Sequence, residues 1–213
     1  MNEKGQIKYP PKLVIDAICL AAFAISKACW FIRFHGRENI PPKTDGCFLI
    51  AANHQTYIDP VWICLPIRRR LRFMAFDKAF NWPVIGKIIR YLGAFPVSSE
   101  DGITISDIKN TLRSIRDGAI LTIFPEGARE FADGQMLDFK NGAVRIAMLA
   151  GVPILPVTIA GGNRIWPRPQ RYPSLFRRVD VTYHPLMYVD QDNRSPQALD
   201  ELTVQLRAQI GRP

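Results

Sequence analysis

His54, one of three histidines in the chain, stands five residues before Asp59 in AANHQTYIDP, Ala51 to Pro60. A neutral imidazole accepts a proton near neutral pH, because its reference pKa is about 6.5. A carboxylate on the other ring nitrogen fixes the tautomer and steadies the imidazolium that forms, as in the base-and-orienter part of a catalytic triad. No serine in a GxSxG turn and no reactive-looking cysteine accompanies the pair, so the nucleophile can be a hydroxyl of the substrate itself. His54 on a loop and Asp59 one turn onward can meet if the loop curls back over the helix start. A plainer role for Asp59 is an N-cap ahead of Pro60, with Asn53–His54 a polar loop. The two roles are compatible.

A second cluster is IFPEGARE, Ile123 to Glu130. A strand ends at Phe124, Pro125 fixes the turn, and Gly127 lets backbone approach a ligand closely. Arg129 offers a fork of donors suited to phosphate. Glu126 can accept hydrogen bonds from ligand hydroxyls or order Arg129. The cluster also fits a surface turn with a local Glu–Arg pair.

NHQTYIDP has the form NHxxxxD, FPEGAR follows it, and VPILPV comes next. Over residues 30 to 185, in that order, the chain resembles the glycerophospholipid acyltransferase superfamily, typified by bacterial 1-acyl-glycerol-3-phosphate acyltransferases. The resemblance implies that His54 is the general base, deprotonating a lysophospholipid hydroxyl for attack on an acyl thioester, and that Asp59 orients it. It implies that Glu126, Gly127 and Arg129 hold the glycerol phosphate of the acceptor, and that Val152 to Val157 serve the acyl donor or the structure. The donor would be acyl-CoA or acyl-carrier protein, with no metal or other cofactor. One block departs from the pattern: GAFPVSS, Gly93 to Ser99, carries Ser99 where an arginine is usual. A charge-assisted bond of that kind contributes about 1.5–3 kcal/mol. Lys78, at a position where the family often has lysine, is a candidate to compensate, as are Lys87, Arg90 and Lys140. Otherwise the acceptor is a different lysolipid. A non-catalytic lipid-binding homologue and a hydrolase that uses water are the competing readings.

The elements that must position these residues follow from the pattern. GCFLIAAN, AILTIF and VPILPVTIA are continuous apolar runs, as in strands buried on both faces. Leu71–Phe76, Gly93–Val97, Val179–Tyr183 and Phe34–Glu38 read as further strands. Helices are expected over Pro60–Leu65, Pro83–Tyr91, Thr104–Arg116, Asn141–Ala150 and from Ser195–Pro196 onward. The alternation predicts an α/β fold, a mostly parallel central sheet with helices on both faces. Chemistry in such sheets collects at the carboxyl ends of strands, which is where His54 and the turn after Phe124 lie.

The chain has 213 residues, of which 47% are hydrophobic, and a net charge of +9. This suits one α/β domain over 35–213 and a phosphate-bearing or anionic partner. Residues 1–34 read as a separate membrane-associating helix. Leu13 to Phe34 is apolar but broken by Asp16, Lys27 and Arg33. It has no small-residue cleavage site, which argues against a secretory leader. The expectation is a helix lying in one leaflet at the cytoplasmic face of the membrane, with Trp30, Phe31 and Arg33 near the headgroups. The arginine-rich stretch Asn163 to Arg178, with Trp166, Tyr172 and Phe176, can seat on lipid headgroups, receive an acidic carrier protein or stack on bases; the apolar helix favours lipid over nucleic acid. The four cysteines form no CxxC pair and read as reduced, buried thiols.

Overall fold

The computed structural model describes residues 11–67, 69, 71–76, 80–83, 85–97, 104–168 and 170–211. Seven strands form one sheet: β1 (Arg33–His35), β2 (Leu49–Ala52), β3 (Leu71–Phe76), β4 (Phe95–Val97), β5 (Ile120–Ile123), β6 (Ile154–Ala160) and β7 (Asp180–Tyr183). Their order is β1-β7-β6-β2-β5-β3-β4. Every pairing is parallel except β6 with β7, so the expected mostly parallel sheet is present with one antiparallel join.

The helices are α1 (Lys12–Trp30), α2 (Asp59–Cys64), α3 (Ile85–Tyr91), α4 (Ile105–Arg116), α5 (Gly142–Ala150) and α6 (Pro196–Ile210). Side chains alternate across the central strands, so each strand feeds two cores. Ile50, Ala52, Leu155 and Val157 face a core closed by Trp30 of α1 and by Trp62 and Ile63 of α2. Leu49, Ala51, Leu121 and Ile123 face the opposite core, closed by α5, by Ile115 of α4 and by Leu206 and Ile210 of α6. Ser195 caps α6, its side chain accepting from the Ala198 amide at 3.2 Å, with Pro196 in the first turn.

Two expectations needed correction, one of a strand and one of a helix cap. The strand expected to run to Glu38 stops at His35. Gly36 turns left-handed at φ 64°, and a Cβ there would stand 2.1 Å from the Tyr183 carbonyl, so the chain breaks into a 3₁₀ turn over Arg37–Asn39. Asp59 is not the N-cap of α2. It is the first helical residue, after Ile58, and the Thr56 hydroxyl accepts from the amides of Ile58 and Asp59.

α1 is long and apolar enough to cross a membrane by length and composition. It nevertheless lies along the body. Ile15, Cys19, Ala22, Ser26, Cys29 and Trp30 are its partly or fully covered positions, a stripe at helical spacing. Leu13, Leu20 and Ile25 project outward, 84%, 70% and 55% exposed. Trp30, expected at headgroup level, is in the core instead, edge-on to Trp62 at 5.6 Å with its indole N–H donated to the Ser174 carbonyl. Ile32 is fully buried and β1 begins at Arg33, so the last turn of α1 and the residues just after it are part of the α/β body. The four cysteines form no disulfide and are partly covered rather than fully buried.

Candidate active site

β2 lies between β5 and β6, with Ala51 beside both Ile123 and Pro156. The carboxyl ends of three neighbouring parallel strands therefore lie side by side, and the chain leaves them as three turns. The first carries His54 and Asp59, the second Glu126 to Glu130, the third Gly162 to Arg164.

His54 and Asp59 meet. The imidazole Nδ1 and Asp59 Oδ2 are 2.9 Å apart, with the His side chain 13% exposed and the Asp side chain fully covered. The same Oδ2 accepts the amides of Gln55 at 2.6 Å and Thr56 at 2.7 Å, and Oδ1 accepts the Thr56 hydroxyl at 2.7 Å. These donors fix the carboxylate, which makes Nδ1 the protonated nitrogen of a neutral ring. The ring stacks on Phe124 at 4.1 Å and 20°, which sets its plane. Nε2 has no hydrogen-bond partner among the described residues, and it is the nitrogen available as a base.

The turn after β5 is built around two buried carboxylates. Glu126 Oε1 accepts the His54 amide at 2.7 Å and Oε2 accepts the Leu137 amide at 2.7 Å. Its side chain is 4% exposed and makes no pair with Arg129, so the local Glu–Arg pair allowed by the sequence does not form. Burial raises the Glu126 carboxyl to about 8, against the downward pull of the Leu137 and His54 amides. Glu130 is fully buried. Its Oε1 accepts from Asn53 Nδ2 at 2.9 Å and its Oε2 from Gln55 Nε2 at 2.8 Å. Burial raises this carboxyl too, with the two amide groups opposing.

Arg129 is half-covered. Its guanidinium sits 3.6 Å over the Tyr57 ring and Nη1 donates to the Trp166 carbonyl at 3.0 Å. Tyr57 in turn packs edge-on against Trp82 and Trp166, at 5.4 and 5.2 Å. Burial lowers the Arg129 pKa from its ordinary value, while the Tyr57 hydroxyl raises it. Gly127, at φ 69°, sits on the exposed rim, and a Cβ there would stand 3.1 Å from Lys140 Nζ. Lys140 is exposed, its amide donating to the Pro125 carbonyl. The expected site residues His54, Asp59, Glu126, Gly127, Arg129 and Lys140 thus lie on or beside the two adjoining turns that follow β2 and β5; Lys78 and Ser99 lie outside the described residues.

Sequence reasoning missed Glu130, Gln55, Tyr57 and Phe124. A signal was present for the first two: polar residues crowd against an apolar run at NHQT, where buried amides demand a buried acceptor.

A family model described as Acyltransferase matches residues 31–160. A 1-acyl-sn-glycerol-3-phosphate acyltransferase of Brassica napus, chloroplastic, is 33% identical over 133 residues, which are 62% of this chain and 38% of that protein. The chain thus spans well under half the length of that plant relative. A 1-acyl-sn-glycerol-3-phosphate acyltransferase of Bacillus subtilis is 30% identical over 61% of this chain and 63% of its own. The crystal structure of the 1-acyl-sn-glycerophosphate acyltransferase PlsC from Thermotoga maritima superposes with a TM-score of 0.72 and 27% identity, covering 94% of this chain and 77% of that one. The family match runs from the residue after α1 to the last residue of β6 and takes in both the His54 turn and the Arg129 turn, so this chain belongs to the acyltransferase family.

Proposed function

We propose that this protein moves a fatty acyl group from a thioester, acyl-CoA or acyl-carrier protein, to the free hydroxyl of a lysophospholipid at the cytoplasmic face of a membrane. The acceptor is 1-acyl-glycerol-3-phosphate and the product phosphatidic acid. The observation that carries this reading is the buried contact of His54 Nδ1 with Asp59 Oδ2, which leaves Nε2 without a hydrogen-bond partner among the described residues. The relatives' names support the reaction class, and the half-covered guanidinium of Arg129 supports an anionic headgroup.

In this reading Nε2 takes the proton of the acceptor hydroxyl as its oxygen attacks the thioester carbonyl carbon. The tetrahedral adduct collapses with loss of the C–S bond. The proton on Nε2 passes to the departing sulfur, giving an ester and a free thiol. Asp59 steadies the imidazolium that exists between these steps. Arg129, with Lys140 and Lys78, binds the acceptor phosphate, and Gly127 lets it come close to the backbone. Glu126, with both oxygens committed to backbone amides, positions His54 rather than the ligand. α1 carries the protein on the lipid surface with its exposed apolar face.

Transfer of a labelled acyl chain from acyl-CoA and from acyl-carrier protein to a panel of lysolipids tests the proposal. Product with 1-acyl-glycerol-3-phosphate is expected, and its loss in His54→Ala. Full turnover by His54→Ala with every acceptor would remove the base assignment. Turnover only with acceptors lacking a phosphate monoester would remove the acceptor assignment, the outcome to which Ser99 points.

A further inference from the structure

Two residues other than glycine have a left-handed backbone among the described residues, and both are phenylalanines: Phe31 at φ 45° and Phe176 at φ 56°. A bulky side chain at positive φ is uncommon and strained. Here the strain does not serve burial, since Phe31 is 49% and Phe176 70% exposed. They are neighbours. The Phe176 amide donates to the Cys29 carbonyl at 2.7 Å, and the Val179 amide to the Trp30 carbonyl at 3.2 Å, so the segment bearing Phe176 runs beside the end of α1. Tyr172 and Leu175 on the same loop are 67% and 49% exposed. The patch is therefore four large apolar side chains at the foot of an apolar helix, and exposed arginines flank it at 171 and 177. The loop is tied down behind the patch: the Ser174 amide donates to the Ile165 carbonyl, and the Ser174 carbonyl accepts the Trp30 indole N–H.

We infer that the loop over residues 171–177 is a second membrane-docking element, continuous with α1, that inserts Phe31, Tyr172, Leu175 and Phe176 into the headgroup layer of an anionic bilayer while Arg171 and Arg177 meet lipid phosphates. This rests on the reading of α1 as the membrane-facing helix. Aromatic rings favour the water–lipid boundary, and cations beside them gain from anionic headgroups. An acidic carrier protein is the lesser fit, because projecting apolar side chains dominate the patch and Arg178 is already engaged by Asp180.

Glycine offers a clean test, since it accepts positive φ without strain. Full-length wild type, Phe31→Gly/Phe176→Gly and Arg171→Gln/Arg177→Gln are sedimented with phosphatidylethanolamine–phosphatidylglycerol vesicles and with phosphatidylcholine vesicles. The glycine pair should bind both kinds about tenfold more weakly, with a thermal midpoint no lower than wild type. The glutamine pair should weaken only on anionic vesicles, and the difference should shrink in salt. Acyl transfer in detergent micelles, where no bilayer must be reached, should stay within about twofold of wild type for the glycine pair. Wild-type vesicle binding by the glycine pair overturns the inference and leaves the role of α1 standing. Loss of carrier-protein binding by the glutamine pair, with vesicle binding intact, overturns it in favour of a protein partner. A wild-type chain that fails to sediment removes the membrane reading of α1 as well, while micellar turnover reports separately on the acyltransferase reading.

Discussion

The amide of Glu130 donates to the carbonyl of His54 at 2.7 Å, tying the turn that bears Arg129 to the turn that bears His54. The same residue's carboxylate grips Asn53 and Gln55, on either side of His54. Asn53 also bonds the Ile159 backbone on β6 through both its amide atoms. Glu130 therefore fixes the backbone on which the imidazole stands. Glu130→Gln replaces one acceptor by a donor facing a donor. We expect kcat to fall about tenfold to a hundredfold with KM little changed, and stability to drop by about 1–3 kcal/mol. Steady-state kinetics beside denaturant unfolding checks both. A change in KM alone would assign Glu130 to ligand binding.

Asp59→Asn keeps the shape of the turn but no longer holds the ring in the tautomer that frees Nε2. Turnover should fall about a thousandfold, with KM for the acyl donor within a few fold. Kinetics across a series of pH values reads this, and undiminished kcat at any pH would separate Asp59 from the chemistry.

Tyr57 carries the guanidinium of Arg129 on its ring. A cation–π contact of this kind contributes about 0.5–2 kcal/mol. Tyr57→Leu should raise KM for a phosphate-bearing acceptor about threefold to tenfold while leaving KM for the thioester unmoved. Tyr57→Phe, which keeps the ring, should recover most of the loss. If Phe and Leu behave alike, the ring is not what positions Arg129.

Glu126 supplies a pH dependence of stability. Its carboxyl titrates near 8 in the fold and near 4.5 ordinarily. Between those values the unfolded chain has released a proton that the native chain keeps, so stability falls as pH rises. The contribution is whole below the ordinary value and lost as pH climbs through the raised one. Glu126→Gln removes this titration. Urea unfolding of the two proteins from pH 5 to pH 8.5 should show wild type losing ground to the variant by up to a few kcal/mol. Parallel curves would mean that the carboxyl is not held protonated.

The outward face of α1 is open to substitution without cost to the core. Leu13→Ser, Leu20→Ser and Ile25→Ser combined should release the protein from vesicles, each residue giving up about 1–2 kcal/mol of transfer to lipid. The thermal midpoint should stay put. Shortening the chain to residue 35 is a poorer experiment, since it removes Trp30 and Ile32 from the core.

What the sequence disclosed depended on range. β2, β5 and β6 were legible because a strand buried on both faces is apolar throughout, whatever its neighbours. The His54–Asp59 pair was legible because both ends of the contact lie within one turn. The partners of Glu126, the amides of His54 and Leu137, were not legible because they are remote in sequence and backbone groups leave no trace in residue type. Trp30 was assigned to the membrane surface on its residue type, while the small stripe of Ala22, Ser26 and Cys29 lets α1 approach the body closely enough to bury it. The position of β1 at the sheet edge beside β7 rests on Arg33 pairing with Asp180, a partner no local pattern specifies.

The edge-on contact of Trp30 with Trp62 has a metric consequence. Trp62 lies in the first turn of the helix that opens with Asp59, so α1 and the His54–Asp59 pair are linked through α2. With α1 seated in lipid as proposed, its depth would fix the altitude of His54 above the leaflet, as the length of a keel sets the height of a deck. A lysolipid would offer its hydroxyl at that altitude while keeping its tail immersed.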